Sequence, residues 1–139
     1  MEADLRRPPA LDKNRQRLGY GEFWPRYLQA HRDAKTRGLH YLGTVLGFAA
    51  LGLAVARRNG RWLLAAPVLG YAPAWLGHAA FARNRPESFG HPLWSLASDV
   101  RMLGLFATGR LGAELRRAGI DPESARGDRD ALGAADRRE

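Results

Sequence analysis

The chain has no cysteine among its 139 residues, which excludes disulfides, thiolate metal sites and cysteine nucleophiles. Lysine is almost absent, with 2 against 20 arginines, and histidine occurs only four times, at His31, His40, His78 and His91. Serines 88, 95 and 98 have no Gly-x-Ser-x-Gly elbow around them, so serine hydrolysis has little support. No glycine-rich phosphate loop is present, because the glycines fall inside apolar stretches. The opening residues, Met1 to Arg17, are polar and lack the apolar core of a secretory signal. Acidic residues are outnumbered, 14 to 22, giving a net charge of +8. No nucleic-acid motif accompanies the basic residues, which flank apolar runs; anionic lipid headgroups account for them more directly.

Those apolar runs dominate what is present. Gly38 to Ala56 is 19 residues without a formal charge, and Trp62 to Ala82 is 21 more. Arg57-Arg58-Asn59-Gly60-Arg61 separates them as a basic turn. At ~1.5 Å per residue each run is long enough to cross most or all of a ~30 Å hydrocarbon core. The mean hydropathy of -0.39 hides this by averaging the runs with an arginine-rich remainder. His40 and His78 each lie 19 residues from Asn59. If the runs pair as antiparallel helices, the two imidazoles sit at one depth. Gly43 and Gly47 form a small-xxx-small pair suited to close helix approach, while Pro67 and Pro73 predict kinks in the second helix.

The remaining pattern predicts an all-α fold: a small helical membrane protein with a central two-helix transmembrane hairpin and flanking interfacial helices. Residues 1–19 read as a mobile basic arm, 20–118 as the helical membrane domain and 119–139 as a disordered charged tail. Phe23, Trp24, Tyr27 and Leu28 share one helical face, expected against the bilayer or the hairpin. Pro25 argues for a helix start close by. From Leu93 to about Leu115 an apolar face (Leu93, Leu96, Val100, Leu103, Leu111) is interrupted by Asp99 and Arg101, which suits an interfacial or bundle-packing helix. Arginine in place of lysine, with much alanine and glycine, suggests a high-GC bacterial gene, so the expected location is multi-pass in a bacterial cell membrane.

All four histidines fall beside apolar runs at what should be one end of the hairpin. Ionisable groups at membrane depth are functional candidates by default. Neutral imidazole and carboxylate ligands suit iron(II), zinc or copper. Glu22, Asp33, Asn84 and Asp99 are candidates to orient the imidazoles through their second ring nitrogen. His31 and His40 are nine residues apart and out of phase on one straight helix, so a shared site needs a chain break, for which Gly38 and the preceding charges are suited.

Five blocks then stand in order: Phe23-Trp24-Pro25-x-Tyr27-Leu28-x-x-His31, Thr36-Arg37-x-Leu39-His40-Tyr41-x-Gly43-Thr44, Gly70-Tyr71-x-x-Ala74-Trp75-x-Gly77-His78, Asn84-Arg85-Pro86 and Pro92-Leu93-Trp94-Ser95-Leu96-x-x-Asp99. In this the chain resembles the Mpo-like family, whose fungal member is an iron(II)-dependent dioxygenase. The resemblance implies a small helical membrane protein that takes a 2-hydroxy fatty acid and O2. It would release carbon dioxide and a fatty acid one carbon shorter. It also implies His31, His40 and His78 as catalytic iron(II) ligands, with His91 a fourth ligand or a partner of the substrate carboxylate. Arg37, Arg83 and Arg85 are the expected carboxylate partners, and the acyl chain is expected along the hairpin. One departure stands out: Ala82 occupies the place of the family's usual glutamate. A non-catalytic lipid-binding hairpin and another histidine-metal lipid enzyme are the competing readings.

Overall fold

The computed structural model describes residues 18–122, so nearly all of the basic arm and most of the charged tail lie outside the described residues. Within these bounds the chain is helical throughout, with no strand.

Helix α1 (Tyr20–Ala30) opens where the Gly19 carbonyl accepts from Glu22 and Phe23, each at 3.0 Å. Pro25 therefore lies past the first turn. Its missing N–H leaves the Gly21 carbonyl without a helical partner, and both residues are exposed, where that loss is best tolerated. The aromatic face of α1 turns inward and not toward lipid. Phe23, Trp24, Tyr27 and Leu28 form the core with Met102, Leu111, Leu115 and Ile120. Trp24 Nε1 donates to Glu114 Oε2 at 2.9 Å, and the Arg101 guanidinium covers the Trp24 ring at 4.1 Å. The indole thus has a carboxylate at one edge and a cation on its face. Of the two expected positions for this face, against the bilayer or against the hairpin, the second is partly met, because Tyr41 of the first apolar run packs against the core.

The break between the first two helices falls at residues 31–33, ahead of Gly38, which lies inside α2 (Ala34–Arg57). Asp33 caps α2, its Oδ1 accepting from Thr36 N at 2.9 Å. The left-handed Arg58 ends α2, and Asn59 caps α3 (Gly60–Gly77) by accepting from Arg61 N at 3.0 Å. The helices pack antiparallel with backbone against backbone. A Cβ added to Gly43 would lie 2.2 Å from the Gly70 carbonyl oxygen, so no larger residue fits without displacement. At the far end Thr36 Oγ1 donates to Gly77 O at 3.1 Å. The expected pairing of the two apolar runs is thus present.

Their membrane reading is narrower. Among the described residues one helix, Ala34–Arg57, is long and apolar enough to cross a membrane, its best window averaging a hydropathy of 1.7. The second apolar run is divided: α3 stops at Gly77, and His78–Ala82 forms a π turn closed by the left-handed Arg83. Prolines, glycines and interfacial aromatics dilute α3 further, so a two-span, multi-pass hairpin is not what length and composition give.

A 3₁₀ turn (Glu87–Phe89) leads to α4 (Pro92–Ala107). The expected long helix ends at Gly109, whose φ of +72° turns the chain into α5 (Leu111–Arg117). Of the expected apolar face only part turns inward: Leu111 is buried and Leu103 half-buried. Ser95, Ser98 and Met102 are buried, while Leu93, Leu96 and Val100 are exposed. Asp99, an interruption of the apolar stripe in the sequence, is on the inward side because the interior there is polar.

Candidate metal centre

Three helix ends converge on one buried point. His31 is the C-cap of α1, His40 lies in the second turn of α2, and His78 follows α3 at the start of the π turn. All three are buried. His31 Nε2 is 2.9 Å from His40 Nε2 and 3.0 Å from His78 Nε2, and the rings stand nearly perpendicular to one another.

The opposite ring nitrogens explain what that closeness means. His31 Nδ1 lies 2.6 Å from the Tyr27 carbonyl, and His40 Nδ1 lies 3.0 Å from the Thr36 carbonyl. His78 Nδ1 lies 2.6 Å from Asn84 Oδ1, an oxygen identified because Asn84 Nδ2 donates to Ala30 O at 2.9 Å. Each of these oxygens can only accept, so each Nδ1 carries the proton. Three unprotonated Nε2 lone pairs then face one another at hydrogen-bond distance with no hydrogen between them. Such an arrangement is repulsive alone and is resolved by a cation held in common. Burial, together with the neighbouring His40, holds the His31 imidazole well below its usual pKa, which keeps it neutral as a ligand must be.

A carboxylate stands beside the cluster. Asp99 Oδ1 is 3.9 Å from His40 Nε2 and accepts a short hydrogen bond from the Tyr27 hydroxyl. Burial pushes the Asp99 carboxyl up to about 7, against the opposing pull of that hydrogen bond. The Tyr27 ring itself stacks on His31 with centroids 4.0 Å apart. Above the nitrogens is a small pocket whose further lining includes Tyr71, Trp75, Glu87, Ser88 and Ser95. The Ser95 hydroxyl is buried there with no hydrogen-bond partner among the described residues.

The other expected site residues are placed as follows. Asn84 orients His78, and Asp33 acts one step removed by capping the turn that holds Thr36. Glu22 is exposed on α1, away from the cluster. His91 stands apart from the other three: its ring packs 5.4 Å from Phe23, near the start of α1 and not at the end that carries His31, and it lines a separate pocket with Trp94. Arg37 is buried, and its Nη1 donates to the carbonyls of His31 (3.0 Å) and Arg32 (2.7 Å), so it clamps the α1–α2 break. Arg83 and Arg85 are exposed, Arg85 lying over the Phe89 ring, and neither lines the histidine pocket. Ala82 lines a different, polar cleft of about 600 Å³ that none of the three histidines reaches. Tyr27, Tyr71, Glu87 and Ser95 were missed by sequence reasoning. Tyr27, Tyr71 and Ser95 stood in the ordered blocks without a role assigned to them, and Glu87 carried no signal.

The donor set, three neutral imidazoles with a carboxylate alongside, suits a divalent transition metal. A search of curated proteins and a search of solved structures each gave no match. A family model described as "2-hydroxy-palmitic acid dioxygenase Mpo1-like" matches residues 19–111, the span that carries α1 to the start of α5 and all of the converging histidines, and the chain belongs to that family.

Proposed function

We propose that the protein is a membrane-embedded iron(II)-dependent dioxygenase that shortens 2-hydroxy fatty acids by one carbon. The observation that carries this reading is the set of three buried Nε2 atoms whose Nδ1 protons are all committed to acceptors, in a chain of this family. His31, His40 and His78 would hold the iron, with Asp99 beside them. When bound, iron(II) supplies the redox chemistry by which O2 reacts with an organic acid. The balance is one 2-hydroxy acid and one O2 giving the acid one carbon shorter, carbon dioxide and water. The C1–C2 bond breaks, C2 is oxidised to a carboxyl and O2 is reduced.

The chain's own residues supply position and exclusion. Tyr27, Thr36 and Asn84 fix the imidazoles by accepting from Nδ1. Among the described residues no lysine or arginine lines the pocket, and the Ser95 hydroxyl, without a hydrogen-bond partner among them, is available as a donor to a substrate carboxylate. The exposed apolar side chains of α2, α3 and α4, such as Phe48, Leu64 and Leu93, support lipid around the hairpin.

The test is detergent-purified protein given 2-hydroxypalmitic acid under oxygen. Iron-dependent oxygen uptake with a fifteen-carbon acid as product is the expected result. Bound metal with no oxygen uptake on any 2-hydroxy acid would instead support the non-catalytic lipid-binding reading.

A further inference from the structure

A second cavity of about 330 Å³ opens between α2, α3 and α4. Its walls include Gly47, Phe48 and Leu51 of α2, Leu63 and Pro67 of α3, and Leu96 of α4. The glycines that let the helices touch also hollow out the seam beside the contact. Tyr71 and Asp99 line both this groove and the pocket over the histidines, so these two side chains stand at the boundary between the two cavities. Beyond that junction Thr44 is the one polar side chain that the described residues place in the lining. Phe48 and Leu63, each more than half exposed, leave one flank open to the surroundings.

A cavity polar at one end and apolar along its length suits an amphiphile with oxygen at one terminus. We infer that the groove between α2, α3 and α4 binds the hydrocarbon chain of a long-chain carboxylic acid whose oxygenated end lies at the Tyr71–Asp99 junction. This rests on the proposed function for the chemistry at the histidines, though not for the binding of the chain. The open flank lets the acid enter sideways, without passing through water. Affinity then grows with the number of methylenes that reach past Tyr71.

Full-length protein in phosphatidylcholine nanodiscs, loaded with iron(II) without oxygen, is titrated with 2-hydroxypalmitic acid and 2-hydroxyoctanoic acid. Leu51→Trp fills the distal end of the groove; Leu63→Trp does so from the opposite wall. The expected result is a loss of about tenfold or more in affinity for the long acid, with affinity for the short acid and the metal content unchanged. Should one variant lose its metal, the other is read in its place. Equal effects on both acids, or none on either, overturn the groove assignment. A selective loss for the long acid in a protein that consumes no oxygen would leave the groove standing and remove the oxygenase reading, so the two fail separately.

Discussion

His31 Nε2 and His40 Nε2 face each other across 2.9 Å, although nine residues separate them and each belongs to a different helix. The pair exists because the chain breaks at residues 31–33 and is held there from both sides. Asp33 caps the outgoing helix, and Arg37 reaches back to the carbonyls of His31 and Arg32. Replacing His31, His40 or His78 with alanine is expected to cut bound metal from about one ion per chain to a small fraction. Elemental analysis of purified protein measures it. Wild-type metal content in all three variants would dissolve the centre.

Asn84 tests the orientation of the site more finely. Asn84→Ala leaves all three ligands but removes the acceptor that fixes His78 Nδ1. Loss of such a partner typically weakens a metal by about 10–100-fold, and that is the expected range here, read by competition with a chelator. Arg85→Ala, exposed and outside the pocket, should leave metal affinity unchanged.

The hairpin contact predicts opposite outcomes for two glycines on one helix. Gly43→Ala drives a methyl into the Gly70 carbonyl and is expected to cost at least about 1–3 kcal/mol, because the obstacle is backbone and cannot rotate away. A Cβ at Gly52 meets nothing within 4 Å, so Gly52→Ala should stabilise by up to about 1 kcal/mol through helix propensity. Thermal unfolding in detergent separates the two.

Acid should loosen the clasp between α1 and α5. Glu114 has its pKa lowered, first by the hydrogen bond from Trp24 and then by Arg117 and Arg101. A carboxylate depressed in the folded state stabilises above its unfolded value, near the ordinary glutamate pKa, and that contribution is lost as pH falls through the lowered value. Melting temperature followed downward from pH 6 should therefore fall. In Glu114→Gln this part of the decline should be absent. An unchanged acid profile in the variant would assign the loss to other groups.

Much of the fold was legible, and the reasons differ from element to element. The equal distances of His40 and His78 from Asn59 carried the pairing of α2 with α3, because an antiparallel hairpin preserves such symmetry. The ordered blocks carried the three histidines. Hydrophobic pattern misled where the interior is polar. On α4 Leu93 and Leu96 mark the outside, since Ser95 and Asp99 line the histidine pocket and Ser98 is buried against Tyr20. Pattern misled again on α1, where aromatic residues suited to a membrane boundary fill a core closed by Glu114 and Arg101. Charge alone did not reveal that Arg37 clamps the backbone at the helix break. The acceptors of the imidazole protons were largely hidden as well, because two of the three are main-chain carbonyls and carry no residue identity.

The meeting of Gly43 with Gly70 sets how far one long helix is slid along the other. Main chain resting on main chain gives a register independent of whatever side chains point away from the seam. The outward faces of both helices are therefore at liberty to change residue by residue, to suit whatever surrounds them, while the imidazoles stay aligned.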